Sequence, residues 1–116
     1  IDRVVEAAAR CGAAAPAIPM KDTIKTVTAE GAVTGTPDRS TLRAVQTPQV
    51  FEADLLKAAL QSALENEVPV TDDCSAVERL GKEVYLTAGD PENIKITRPL
   101  DLRLAEAILA ERRKQA

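Results

Sequence analysis

The sequence predicts an α/β fold, and three observations carry that expectation. The run Ala13 to Ile18 is short, small and apolar on both faces, as a strand buried inside a parallel sheet is. Segments with apolar residues at helical spacing lie before and after it. Segments that alternate apolar and polar residues fall between those helices, and strands alternating with helices build a largely parallel sheet with helices packed against it.

The elements follow in order. From Ile1 to Cys11 the residues Ile1, Val4, Val5 and Ala8 recur at helical spacing, and Gly12 is the stop expected just past a helix C-terminus. No starting Met and no capping residue precede this pattern, so the chain is expected to be a piece of something longer. The strand Ala13 to Ile18 ends at Pro19. Asp22 to Arg39 is then rich in Thr and Val, with Ala29-Glu30-Gly31 as a turn, which predicts a β-ribbon. A ribbon with so few large apolar side chains is marginal in water, so it is expected either to lie against a second subunit or to be a mobile hairpin.

Glu52 to Glu65 carries Leu55, Leu56, Ala59, Leu60, Ala63 and Leu64 on one helical stripe. Val70 to Gly81 reads as a short helix opened by a Thr71-Asp72-Asp73 cap, with Ser75 and Glu78 at capping-box spacing and Gly81 as its stop. Glu83 to Gly89 and Asn93 to Thr97 alternate as strands. Asp101 to Lys114 reads as a terminal helix whose basic end suits the helix dipole.

Composition bounds the function classes. With 116 residues, 45% of them hydrophobic and 28% charged, the chain has the makeup of one globular domain. Aromatic residues make up only 2%, so the core must be built from Ala, Val, Leu and Ile. A net charge of −3 and a pI near 5.0 argue against a nucleic-acid partner, and an anionic ligand would need locally clustered cations. No apolar run nears the roughly 18–20 residues that span a bilayer and no signal-peptide pattern opens the chain, so no membrane partner and a cytoplasmic location are expected. Cys11 and Cys74 stand alone, without a CxxC pair or any His, and are expected to be buried reduced thiols rather than zinc ligands.

The chemistry-bearing residues are few. With no His and no glycine-rich phosphate loop, neither a Ser-His-Asp arrangement nor nucleotide cradling can be drawn from these residues. What remains is a set of hydroxyls and cations in turn-rich places: Thr23, Lys25, Arg39, Thr47, Thr71 and Lys95. Such a set can hold a phosphorylated polyol, cations neutralising phosphate oxygens and threonines hydrogen-bonding to phosphate or sugar. The plainer alternatives are an exposed turn cation at Arg39, an outward strand lysine at Lys95 and a helix cap at Thr71. The run Gln46-Thr47-Pro48-Gln49 could equally be a loop whose amides satisfy backbone groups.

Several segments together are more specific. "DTIK" (Asp22 to Lys25), "DRSTLRAVQTPQVF" (Asp38 to Phe51), "TDDCSAVERLG" (Thr71 to Gly81), "GDPENIKITRPLDL" (Gly89 to Leu102) and "AEAIL" (Ala105 to Leu109) resemble, in order and spacing, the 2-C-methyl-D-erythritol 4-phosphate cytidylyltransferase family. The resemblance runs over essentially the whole chain and covers the C-terminal half of the family's domain. It implies a Rossmann-like nucleotidyltransferase fold of which residues 1–116 are the C-terminal portion, with a protruding β-arm at 22–39 that interlocks two subunits and an acceptor-substrate portion at 40–116.

The activity implied is transfer of CMP from CTP to 2-C-methyl-D-erythritol 4-phosphate in non-mevalonate isoprenoid biosynthesis, with release of pyrophosphate and use of Mg2+. The resemblance implies that Arg39 and Lys95 position the acceptor phosphate and that Thr23, Thr47 and Thr71 line its pocket. Thr23 and Arg39 would serve the partner's pocket in a homodimer, and Thr47, Thr71 and Lys95 their own. Phe51 would pack rather than bind. Residues that grip CTP and the metal are expected in the N-terminal half, so this chain alone is expected to be inactive and to expose a sheet edge and apolar surface. Ribitol-5-phosphate cytidylyltransferase shares part of the pattern and is the rival within enzymes. A non-enzymatic dimerisation module is the rival outside them.

Overall fold

In the computed structural model, which describes residues 1–115, everything is organised around one central strand. Helix α1 (Asp2–Cys11) ends at Gly12, whose φ of 91° is the left-handed conformation that only glycine adopts without strain. It leads into β1 (Ala13–Pro19), in which residues 13–17 are all buried. Alanines at successive positions point to opposite faces of a strand, and both faces here are covered. Ala14 packs with Val4, Ala7 and Ala8 of α1, and Val50 joins them. Ala13 packs on the other face with Ala59, Ala76 and Val77, bordered by Phe51, Leu55, Leu56 and Val84.

The second cluster is contributed largely by α2 (Ala53–Glu65) and α3 (Asp73–Arg79). Glu52 caps α2, its carboxylate accepting the Asp54 and Leu55 N–H groups. The result is helix, sheet, helix in three layers, and the small side chains let the helices approach closely. Phe51 is half-buried against this core, as a packing ring should be.

Three strands pair with β1. At its end, β4 (Arg43–Val45) is antiparallel to it, and at its start β5 (Val50–Phe51) is too. On the other edge, β6 (Tyr85–Ala88) runs parallel, with Ala14 opposite Tyr85 and Ala17 opposite Ala88. The expected largely parallel sheet is therefore corrected to a mixed one: the chain leaves β1 for the arm and comes back down the same edge. The second expected strand, Asn93 to Thr97, is not one. Its backbone groups are taken by other partners, because the Asn93 carbonyl accepts from Gln46 and the Thr97 and Arg98 N–H groups donate to Asp101.

The ribbon is a separate hairpin, β2 (Thr26–Val27) against β3 (Val33–Gly35), shorter than its 22–39 span. Thr28 N–H donates to the Ala32 carbonyl across the turn, where Gly31 has a φ of 92°. Thr26 and Thr34 hydroxyls meet at 2.8 Å and the Lys25 ammonium reaches Thr36 at 2.9 Å, so polar contacts rather than apolar burial join its strands. Val27 and Val33 are more than half exposed.

The last helix, α4 (Pro99–Gln115), buries no residue, and Leu100, Leu102, Leu104 and Leu109 are all about half exposed or more. Arm and helix together give a radius of gyration of 17.0 Å, against about 13 Å for a compact chain of this length. No helix among the described residues is long and apolar enough to cross a membrane.

Candidate functional site

The site begins at a proline. In an extended strand the N–H and C=O of one residue point to the same edge. The Pro16 carbonyl accepts the Gln46 N–H at 2.8 Å, so the donor that Pro16 lacks would have faced that same partner. There the partner strand leaves the ladder. Gln46-Thr47-Pro48-Gln49 spans the gap between β4 and β5, and the Thr47–Pro48 peptide bond is cis.

Two amides flank the gap and bind different segments. The Gln46 Nε2 donates to the carbonyls of Asp90 (2.7 Å) and Asn93 (3.2 Å), and its Oε1 accepts the Asp90 N–H (3.2 Å). The Asn93 Nδ2 returns a bond to the Thr47 carbonyl at 2.7 Å. Gln49 reaches the other way: its Nε2 donates to Asp72 Oδ2 at 3.0 Å and its Oε1 accepts the Cys74 N–H at 3.1 Å. The reading of these amides as satisfying backbone groups is thus correct, but those backbone groups lie in other parts of the chain.

At the start of α3 the cap is Asp72, not Thr71, because Asp72 Oδ1 accepts the Ser75 N–H at 2.8 Å and the Ser75 hydroxyl as well. The pair at capping distance is Asp72 and Ser75, in place of the expected Ser75 and Glu78. This leaves the Thr71 hydroxyl beside that of Ser75 at 3.0 Å. Burial pushes the Asp72 carboxyl up, but hydrogen bonds from Ser75 and Gln49 outweigh it and hold the group below the usual carboxylate range. Cys74 is buried and its thiol is pushed up to about 12, by burial first and then by Asp72, Glu78 and Asp73. Both cysteines are free; Cys11 is only half-buried, because it lies at the exposed end of α1.

Of the sequence-predicted site residues, Thr47 alone lines the cleft beside the Gln46 contact; Thr71 and Lys95 are linked to it only through their segments, and Thr23 and Arg39 lie apart. Thr47 lines a cleft of about 460 Å³ with Gly89, Asp90, Asn93 and Arg112, and the Thr87 Oγ1 in its wall is buried without a partner. Lys95 is exposed, two residues beyond Asn93, and takes part in neither ion pair found among the described residues, Arg98–Asp101 and Arg112–Glu92. Through Gln46, Asn93 and Gln49, the segments bearing Thr47, Thr71 and Lys95 are tied to one another.

Thr23 and Arg39 belong to the base of the arm. The Arg39 Nη1 donates to the Lys21 carbonyl at 2.8 Å, and Arg39 opens a short 3-10 turn, Arg39–Thr41, capped by Asp38. Hydrogen bonds from Ser40, backbone first, hold the Asp38 carboxyl down. No hydrogen bond or ion pair among the described residues joins Arg39 or Thr23 to the Thr47 group. Gln46, Gln49 and Asn93 were not singled out as site residues from the sequence. Their signal was two amides on either side of a Thr-Pro.

A sequence model described as IspD, 2-C-methyl-D-erythritol 4-phosphate cytidylyltransferase, matches residues 1–111. The chain belongs to that family.

Family relatives carrying that name include one from Nocardia farcinica, 60% identical over 100 residues, which cover 86% of this chain and 42% of the relative. One from Desulforamulus reducens is 51% identical over 112 residues, covering 97% of this chain and 48% of the relative. Among solved structures, the 4-diphosphocytidyl-2C-methyl-D-erythritol synthase of Anaerococcus prevotii superposes with a TM-score of 0.85 at 33% identity, over 93% of this chain and 48% of that one. The Thermus thermophilus enzyme of the family gives 0.78 at 42% identity, over 91% and 52%. The fold is therefore the Rossmann-like nucleotidyltransferase fold of that family, and the chain spans about half the length of the curated relatives it matches.

Proposed function

We propose that the chain is the C-terminal, acceptor-binding half of a cytidylyltransferase that moves CMP from CTP to 2-C-methyl-D-erythritol 4-phosphate. The observation that carries this reading is the set of hydrogen bonds from Gln46, Gln49 and Asn93 that ties the segments of Thr47, Thr71 and Lys95 together, with Lys95 exposed and unpaired by any described carboxylate. Two anionic phosphates must meet in such a reaction. The tasks left to protein groups are charge neutralisation and in-line placement rather than acid-base work, which suits a site with no His.

In this reading Lys95 neutralises the acceptor phosphate while the hydroxyls of Thr47 and Thr71 orient it. Arg39 and Thr23, at the base of an arm that buries almost nothing of its own, serve the pocket of a second subunit in a homodimer. Mg2+ is the metal the family implies. Among the described residues no three His, Cys, Asp or Glu side chains gather into a group that could hold a metal ion, so these residues do not fit it.

The test uses the chain completed to the length of its relatives, with CTP and either 2-C-methyl-D-erythritol 4-phosphate or ribitol 5-phosphate. Pyrophosphate release with the first and little with the second is expected. Preference for ribitol phosphate would overturn the substrate, and release with neither would favour a dimerisation module.

A further inference from the structure

The segment that carries Lys95 has no ladder of its own. Between Gly89 and Thr97 its internal bonds are those of tight turns, Asn93 N–H to the Asp90 carbonyl and Ile94 N–H to the Glu92 carbonyl. Ties to the rest of the protein are few: Gly89 N–H to the Ala17 carbonyl at 2.9 Å, the exposed Arg112–Glu92 pair, the Thr97 N–H and hydroxyl to Asp101 of α4, and the reciprocal hydrogen bonds of the Gln46 and Asn93 amides. An exposed ion pair contributes little. Of these ties, only the two amides join the segment directly to residues 46–47.

Gln46 is specific for this task. Its Nε2 faces two carbonyl oxygens and its Oε1 faces an N–H, so the amide has one workable orientation, and a carboxylate of the same shape would oppose both carbonyls. Gly89 makes the approach feasible, since a Cβ there would run into Gln46 Oε1 and lie 3.0 Å from the Ala17 carbonyl oxygen. Three features that sequence reasoning treats as unrelated, a glycine at a strand end and two amides a long way apart, form one contact.

We propose that Gln46 is a positioning residue that sets the distance between the Thr47 hydroxyl and the Lys95 ammonium, and with it the fit of the acceptor phosphate. This rests on the acceptor-site reading given above. The side-chain hydrogen bonds of Gln46 go to backbone groups of the segment that carries Lys95, so its effect is expected on the acceptor and not on the nucleotide.

The experiment compares Gln46→Glu, Gln46→Leu and Gly89→Ala with the unaltered sequence, all completed to the length of the relatives, by steady-state kinetics against each substrate and by thermal unfolding. An ångström-scale displacement can cost up to ~100-fold, so a rise of about ten-fold or more in the KM for methylerythritol phosphate is expected, with the KM for CTP within about two-fold. Gly89→Ala keeps the Gln46 amide yet displaces it, and should reproduce the same split. Unchanged constants in all three variants would overturn the proposal. So would equal losses for both substrates tracking a lowered Tm, or loss of the fold in every variant, since either assigns the contact to stability alone. Failure of the unaltered enzyme to use methylerythritol phosphate would remove the acceptor-site reading itself, which is a different result.

Discussion

Gln49, just before β5, and Asp72, the cap of α3, are joined by a 3.0 Å hydrogen bond from the glutamine Nε2 to the aspartate Oδ2, while the same amide accepts the Cys74 N–H at 3.1 Å. One side chain thus satisfies both the capping carboxylate and a free N–H at the start of α3. Gln49→Leu leaves the Asp72 Oδ2 and the buried Cys74 N–H without this partner, while Ser75 still holds Asp72 Oδ1, and a loss of about 1–3 kcal/mol is expected. Urea unfolding of the variant against the parent measures it. A change within a few tenths of a kcal/mol would mean water replaces the amide.

The Asp72 carboxyl is held below its ordinary value in the folded state by Ser75 and Gln49, despite its partial burial. The sign follows from linkage: the unfolded state binds the proton more readily, so this carboxylate stabilises the fold above about pH 4 and loses that contribution as pH falls through the lower folded value. Asp72→Asn should therefore be less stable at neutral pH and show a shallower fall in stability below about pH 4. Parallel pH–stability curves for parent and variant would contradict this.

Ala13 is fully buried where β1 meets α2 and α3, against Ala59, Ala76 and Val77. Space there is set by small side chains, so Ala13→Leu is expected to overpack the interface and destabilise by about 1–3 kcal/mol or more. Ala13→Val, which adds less volume and no buried hydroxyl, should cost less. Equal thermal shifts for the two variants would deny that packing is the cause.

Cys74 lies buried with its thiol pushed up to about 12, behind the acidic start of α3. At pH 8 only about one thiol in ten thousand would be thiolate. Alkylation of the folded protein with iodoacetamide should modify the half-buried Cys11 before Cys74, read by peptide mass spectrometry. Faster modification of Cys74 would show that α3 opens readily.

What the sequence made legible is what local physics writes into it. The leucine stripe of α2 and the glycine after α1 are visible without tertiary context, and both elements are present within a residue or two of expectation. The pieces that were not legible depend on partners. Strands β4 and β5 are two or three residues long and exist because β1 offers them an edge, and their separation follows from a donor missing at Pro16. Asn93 to Thr97 alternates like a strand, but its backbone groups bind the side chains of Gln46 and Asp101 instead. Thr47, Thr71 and Lys95 were found as residue types in turn-rich places. The glutamines that connect their segments carry no signature of their own, because an amide's partners are set by the fold.

In the proposed function, Arg39 and Lys95 are the cations that meet the acceptor phosphate. Replacing either by Ala in the completed enzyme is expected to lower kcat/KM for methylerythritol phosphate by about 2–4 kcal/mol of transition-state stabilisation. Lys95→Arg should restore it only in part, since a planar fork and a point charge differ in reach. Untouched turnover in both alanine variants would remove them from the site.

The most direct measurement mixes those two impaired variants. If Arg39 is donated across a homodimer while Lys95 serves its own pocket, a dimer of one Arg39→Ala and one Lys95→Ala protomer contains one site with both cations and one with neither. Random exchange then restores roughly a quarter of the parental activity, because about half the dimers are mixed and each has one working site. Recovery on mixing is the expected result. No recovery, with exchange of subunits demonstrated, would contradict a pocket built from both protomers.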